Sequence, residues 1–206
     1  RNFDIRKLLL EYDDMANEQR QIIYSQRNSI LESDVITDLV ESMRETVIAD
    51  EIESAAQGEL DPHEWDIDPL EASILNIFGF QIPLKEWVKE NPNITTEEVQ
   101  NRLVSKTVDA YKNKGQSIGP VMKDFEKQIL LQIIDASWKD HLAEVDALRQ
   151  GIGLRSYGNK NPKLEFRRES FELFESLLDK IRLEGIRFLS RVEIELEDSG
   201  ELNLPK

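Results

Sequence analysis

Apolar residues return every three or four positions over almost the whole chain, and a helical period sustained that far leaves little room for a sheet. Its clearest stretch is a pair of stripes near the end. Phe125, Ile129, Ile133, Ile134, Trp138, Leu142, Val145 and Leu148 form one face, and Phe171, Phe174, Leu177, Leu178, Ile181, Ile186 and Leu189 form another. Between them a segment from Gly151 to Pro162 breaks the period. The spacing predicts one helix from Pro120 to Arg149 and a second running to Arg191, zipped along these faces into an antiparallel finger. At about 1.5 Å per residue a helix of about 30 residues is roughly 45 Å long. That exceeds what a compact domain needs, so the finger should project or lie along a larger neighbour.

The earlier part of the chain has the same helical period. Ile5, Leu8, Leu9, Tyr12, Met15, Ala16, Gln19, Ile22 and Ile23 mark one side of a long amphipathic helix reaching Leu31. A break is expected between Glu32 and Asp34, with Ser33 or Asp34 capping a second helix that carries Ile36, Leu39, Val40, Met43, Val47 and Ile48 and ends by Ala56. From Gly58 to Pro92 four prolines punctuate the chain, and Trp65, Phe78, Phe80 and Trp87 should gather short helices around an aromatic core. Thr95 or Thr96, followed by Glu97 and Glu98, opens another helix, which the segment Lys112 to Gly119 should stop. Strand-like alternation is nearly absent, so the expected class is all-α. The expected domains are a long helix over 1–31, a small helical wing over 32–117, the finger over 118–191 and a flexible linker over 192–206.

Composition removes several functions. Asp and Glu number 41 against 26 Lys and Arg, a formal charge of -15 in 206 residues, so a nucleic-acid backbone is not an expected partner. No cysteine is present, which excludes disulfides and thiolate metal sites. The glycines form neither a G-x-x-x-x-G-K-[ST] nor a G-x-G-x-x-G loop, so no nucleotide site of those kinds is expected. His63 and His141 lack paired ligands at metal-binding spacing, and no nucleophile and base come together in the sequence. Neither a catalytic residue nor a cofactor is expected within these residues. The start at Arg1, inside an apolar pattern, suggests a piece of a longer protein.

The end of the finger differs from this acidic background. Arg149, Arg155, Lys160, Lys163, Arg167 and Arg168 cluster there with Glu165 as the acid among them, and Tyr157 lies between Ser156 and Gly158. Basic residues ending a helix can simply offset its macrodipole. An aromatic in a glycine-bearing turn has little of its own hairpin to bury against, however, so it folds back or is offered to a partner.

The residues also carry a family resemblance. Arg1-Asn2-Phe3-Asp4-Ile5-Arg6-Lys7, Leu9-Leu10-Glu11-Tyr12-Asp13-Asp14, Ala16-Asn17, Gln19-Arg20 and Ile23-Tyr24-Ser25-Gln26-Arg27 resemble the long scaffold helix of the SecA family of bacterial preprotein translocase motors. Trp138-Lys139-Asp140-His141-Leu142, Leu148-Arg149-Gln150-Gly151-Ile152, Leu154-Arg155, Tyr157, Pro162 and Glu169-Ser170-Phe171 resemble that family's two-helix finger. Asn159 and Phe166 depart from it, standing where Gln and Tyr are usual.

The resemblance implies a mechanical module. Its finger tip, here Tyr157 with Arg149, Ile152, Leu154, Arg155 and Lys160, would touch the unfolded preprotein and the SecYEG channel. Its scaffold helix, through Arg1, Asp4, Arg6, Tyr12, Asp13 and Asp14, would contact the nucleotide-binding and preprotein cross-linking domains. The resemblance places ATP and Mg in those other domains, zinc in a C-terminal tail, and the whole at the cytoplasmic face of the bacterial inner membrane, with anionic lipid a further partner. Self-association through the stripe from Ile5 to Ile23 is a further expectation. The rival reading is a free-standing helical adaptor that binds partner helices through its stripes, in which case Tyr157→Ala would be nearly silent.

Overall fold

The structure is a computed structural model and describes residues 2–34, 36–118, 121–152 and 161–192, the side chains of 2–11 and 116–118 excepted. In chain order the helices are α1 (Asn2–Glu32), α2 (Thr37–Ala56), α3 (Ile67–Phe78), α4 (Leu84–Glu90), α5 (Thr96–Ile118), α6 (Val121–Ile152) and α7 (Pro162–Arg191), with a 3-10 turn at Pro62–Glu64. No strand occurs among the described residues, so the class is all-α, as the period implied. None of these helices is long and apolar enough to cross a membrane.

Several boundaries follow from local chemistry. α1 ends at Glu32, where the Ser33 hydroxyl turns back and donates to the Ser29 carbonyl at 2.7 Å. Of the two residues expected to cap α2, Ser33 or Asp34, this bond turns Ser33 back to α1. Ile36 holds the capping position instead, without a side-chain hydrogen bond. The start of α5 behaves as expected, with the Thr95 hydroxyl accepting from the Glu98 amide at 3.2 Å. Its end does not, because the helix continues through Gly115 to Ile118. Tertiary contact accounts for the extra turn, since Lys114 Nζ donates to the carbonyls of Leu189 and Ser190 at 3.4 and 3.1 Å. α7 opens on Asn161, which accepts from the Lys163 amide at 3.1 Å, with Pro162 at the first helical position where its missing N–H costs nothing.

The chain divides into two compact units. One comprises Arg1–Asp34 and Leu130–Ile181, so it takes α1, most of α6 and the first part of α7. Here α6 and α7 run antiparallel, with Asp140 pairing to Lys180 at 3.2 Å and Ile152 packing with Phe166. α1 runs antiparallel to α6, which it meets at Arg149–Asp13 and Arg27–Asp135. The result is a three-helix bundle, where the sequence had suggested two helices zipped on each other.

The other unit comprises Val35–Ile129 and Arg182–Lys206. In it α2 packs on α3 and α5, and α3 on α4. Its core is mostly aliphatic, with Ile48, Ile74, Leu84, Leu103, Ile186 and Leu189 fully covered. Trp65 and Phe78 join it, whereas Phe80 and Trp87 are only half-buried. The last turn of α7 is fastened to α3 by Arg191, which donates to the Asn76 carbonyl at 2.9 Å.

Candidate functional site

The two long helices of the bundle approach the finger tip, and the described residues flanking it are packed. Tyr12, Val145, Ile152 and Phe166 form a buried cluster, with the rings of Tyr12 and Phe166 3.9 Å apart between centroids. Ile152 is 2% exposed, so any part it takes in an outside contact acts through this packing. Arg149 lies at the surface within 3.6 Å of Asp13 and 3.4 Å of Asp146. Arg168 pairs with Glu165 at 2.9 Å and with Glu172 at 3.6 Å. The basic cluster is therefore opposed by Asp13, Asp146 and Glu172 as well as Glu165, a correction to the sequence reading. Its source is the fold, which brings Asp13 in from α1. Leu154, Arg155, Tyr157 and Lys160 lie outside the described residues, as does Arg1. Asp4 and Arg6 sit on α1 without described side chains, while Tyr12 is buried and Asp13 and Asp14 are exposed.

A polar clasp crosses the middle of the bundle. Gln19 Nε2 donates to the Ser170 carbonyl at 3.1 Å and lies 3.2 Å from its hydroxyl, while Gln19 Oε1 lies 2.9 Å from His141 Nε2. Since the Gln19 oxygen can only accept, His141 carries its proton on Nε2. The imidazole stacks on Trp138 at 5.4 Å and meets Phe174 at 5.8 Å. All three polar residues are buried. Leu142, expected inside, is instead 37% exposed, and Phe171 is 58% exposed. The third helix causes both reversals, because Gln19 rotates the buried faces of α6 and α7 toward the partners it can bond. Gln19 stood in the apolar stripe of α1, and that misplaced amide was the available signal.

Burial holds the His141 imidazole below its ordinary value of 6.5, with the Glu144 charge a smaller opposing influence. As pH falls below 6.5, the unfolded chain takes up a proton that the folded chain refuses. This residue's contribution to stability is therefore complete above 6.5 and lost as pH falls through the depressed folded value. The His141 C2–H resonance should titrate with a midpoint below 6.5, and a midpoint at or above 6.5 would contradict the buried neutral assignment.

Three of the exposed large apolar residues lie together. Ile22 on α1 and Leu164 and Phe171 on α7 line a groove of about 780 Å³, with Asp14 and Glu18 on the α1 side and Lys163 and Arg167 on the other. An open apolar floor between oppositely charged rims suits a polypeptide segment better than a small reactant. Among the described residues no three of His, Asp and Glu converge as a metal site.

Comparison with known proteins agrees with this architecture. The family model described as "SecA Wing and Scaffold domain" matches residues 1–193. A "Protein translocase subunit SecA" of Pseudomonas putida (strain W619) is 45% identical over 202 residues, covering 98% of this chain and 22% of the relative. That of Chromobacterium violaceum is 45% identical over 195 residues, covering 94% and 22%, and that of Pseudomonas fluorescens (strain Pf0-1) is 43% identical over 202 residues. The chain thus spans about a fifth of the length of the curated relatives it matches. With the family model running over nearly all of it and an all-helical scaffold to match, the chain belongs to the SecA wing and scaffold domain family.

Proposed function

We propose that this chain is the mechanical module of a protein-translocating motor. It couples ATP hydrolysis in other domains of the whole subunit to movement of an unfolded preprotein through the SecYEG channel, at the cytoplasmic face of the inner membrane. Tyr157 is the contact with the moving polypeptide, and Arg149, Leu154, Arg155 and Lys160 share in that contact, with Ile152 acting through its packing. In this reading the residues of the chain bear load and contact and take no part in the chemistry.

The observation that carries this reading is the coupling of the finger to the scaffold helix. Tyr12 against Phe166, Asp13 against Arg149, Gln19 against His141 and Ser170, and Arg27 against Asp135 fasten both finger helices to α1 between Tyr12 and Arg27. Force or displacement applied to one helix of such a bundle passes to the others, because packed interiors transmit strain. Asp14, in the rim of the groove on α1, is where the other domains of the subunit would bear on it.

Translocation and ATPase rates of the full subunit test the reading. A half-buried tyrosine contact of ~100 Å² is worth about 2.5 kcal/mol at most, so Tyr157→Ala should slow translocation by roughly 70-fold at most. Basal ATPase should be unchanged, and Tyr157→Phe should retain most of the activity. Equal translocation by Tyr157→Ala would favour the adaptor reading, in which the groove at Leu164 and Phe171 does the binding.

A further inference from the structure

We propose that the wing unit carries a binding site for a carboxylate, centred on Arg44. A cavity of about 310 Å³ lies between α2, α5 and the start of α6, and Val40, Val108, Met122, Arg44, Tyr111 and Glu126 are among the residues that line it. Arg44 is only 1% exposed, yet its Nε and Nη2 are buried without a hydrogen-bond partner. Those two nitrogens share one edge of the planar guanidinium, the edge that receives both oxygens of a carboxylate.

The surroundings hold the group but do not satisfy it. The guanidinium carbon sits 4.5 Å from the centre of the Tyr111 ring, and the Tyr111 hydroxyl donates to Glu126 Oε1 at 2.7 Å. Glu126, itself 5% exposed, is thus engaged by the phenol, and Glu41, which also lines the cavity, faces Lys112 at 4.0 Å. Both carboxylates act on Arg44 through their charge, but neither is within ion-pair distance of it. Burial correspondingly weakens the proton affinity of Arg44 and strengthens that of Glu126. A buried cation with an open edge is costly, and no acceptor among the described residues reaches these two nitrogens. Since Arg44 already lines the cavity, a change of side-chain rotamer, common when partners bind, suffices to present the edge.

The volume is at the low end for ligand pockets, and Val40, Val108 and Met122 supply apolar walls. The ligand is therefore a carboxylate on a small apolar body. It is either a free organic acid or an acidic side chain of a polypeptide. Nothing in the translocation reading requires this site.

Titration of the chain by nuclear magnetic resonance, following the Arg44 Nε–H signal, tests the assignment. The probes are benzoate, its neutral analogue benzamide, and acetylated and amidated glutamate, all at matched ionic strength. Saturable shifts are expected with benzoate if the source is a free acid and with blocked glutamate if it is a side chain. Benzamide should leave the signal in place. Arg44→Lys keeps the charge but loses the fork, so it should weaken binding by about tenfold or more. Glu126→Gln keeps an acceptor for Tyr111 and removes the neighbouring negative charge, so it should tighten binding by roughly threefold. The proposal is overturned if neither acid shifts the signal saturably, if benzamide binds equally well, or if Arg44→Lys binds unchanged. Should Arg44→Lys fail to fold, unaltered affinity in Glu126→Gln overturns it.

Discussion

Gln19→Leu should destabilise the bundle by about 2–6 kcal/mol, although leucine fits the apolar stripe of α1 better than glutamine does. The substitution removes an acceptor from His141 Nε2 and a donor from Ser170, both of which are buried. Each orphaned polar group costs about 1–3 kcal/mol, which sets the total. The signature that separates this from simple mispacking is recovery. Adding His141→Leu to Gln19→Leu removes the orphaned imidazole together with its partner, and a matched apolar pair can be nearly neutral. The double variant should therefore unfold in urea at a higher midpoint than Gln19→Leu alone. If the two losses simply add, the clasp does not couple these residues.

A second large effect is expected where the sequence alone would not place it. Phe166→Ala should cost about 3–5 kcal/mol, the range for truncating a buried aromatic. Phe166 is 1% exposed and packs its ring against Tyr12 in the cluster that also holds Val145 and Ile152. Phe171→Ala, in contrast, should change the stability of the isolated chain by less than about 1 kcal/mol, since most of that ring is already in solvent. Equilibrium unfolding of the two variants side by side checks the pair. Similar losses for both would mean that Phe171 packs between the finger helices after all.

These contrasts show which parts of the fold can be read from residue order. Helix existence follows from local period and capping, so α1, α2, α6 and α7 lie close to where the stripes place them, and Thr95 caps α5. Which side of a helix faces inward depends on what packs against it. With two helices, the apolar count favours Leu142 and Phe171 inside. With three, Gln19 brings His141 and Ser170 inward instead. The extension of α5 through Gly115 is non-local in the same way, resting on bonds from Lys114 to the end of α7. Charge in the site was also only partly legible. A run of basic residues is visible in sequence, but Asp13 comes to Arg149 only through the bundle. Arg44, which interrupts the apolar residues of α2 between Met43 and Val47, gave no periodic signal of its own.

The central claim is that Tyr157 touches the moving polypeptide while the bundle behind it bears the load. A single cysteine at Tyr157 tests this most directly, placed in the full subunit with cysteines elsewhere removed; these 206 residues contribute none. Disulfide cross-linking is then measured to a preprotein stalled in the channel. The account predicts cross-links that require both channel and preprotein. It would be contradicted if the cysteine at 157 reacts with neither while control positions at the channel entrance do, which would make the finger a static brace.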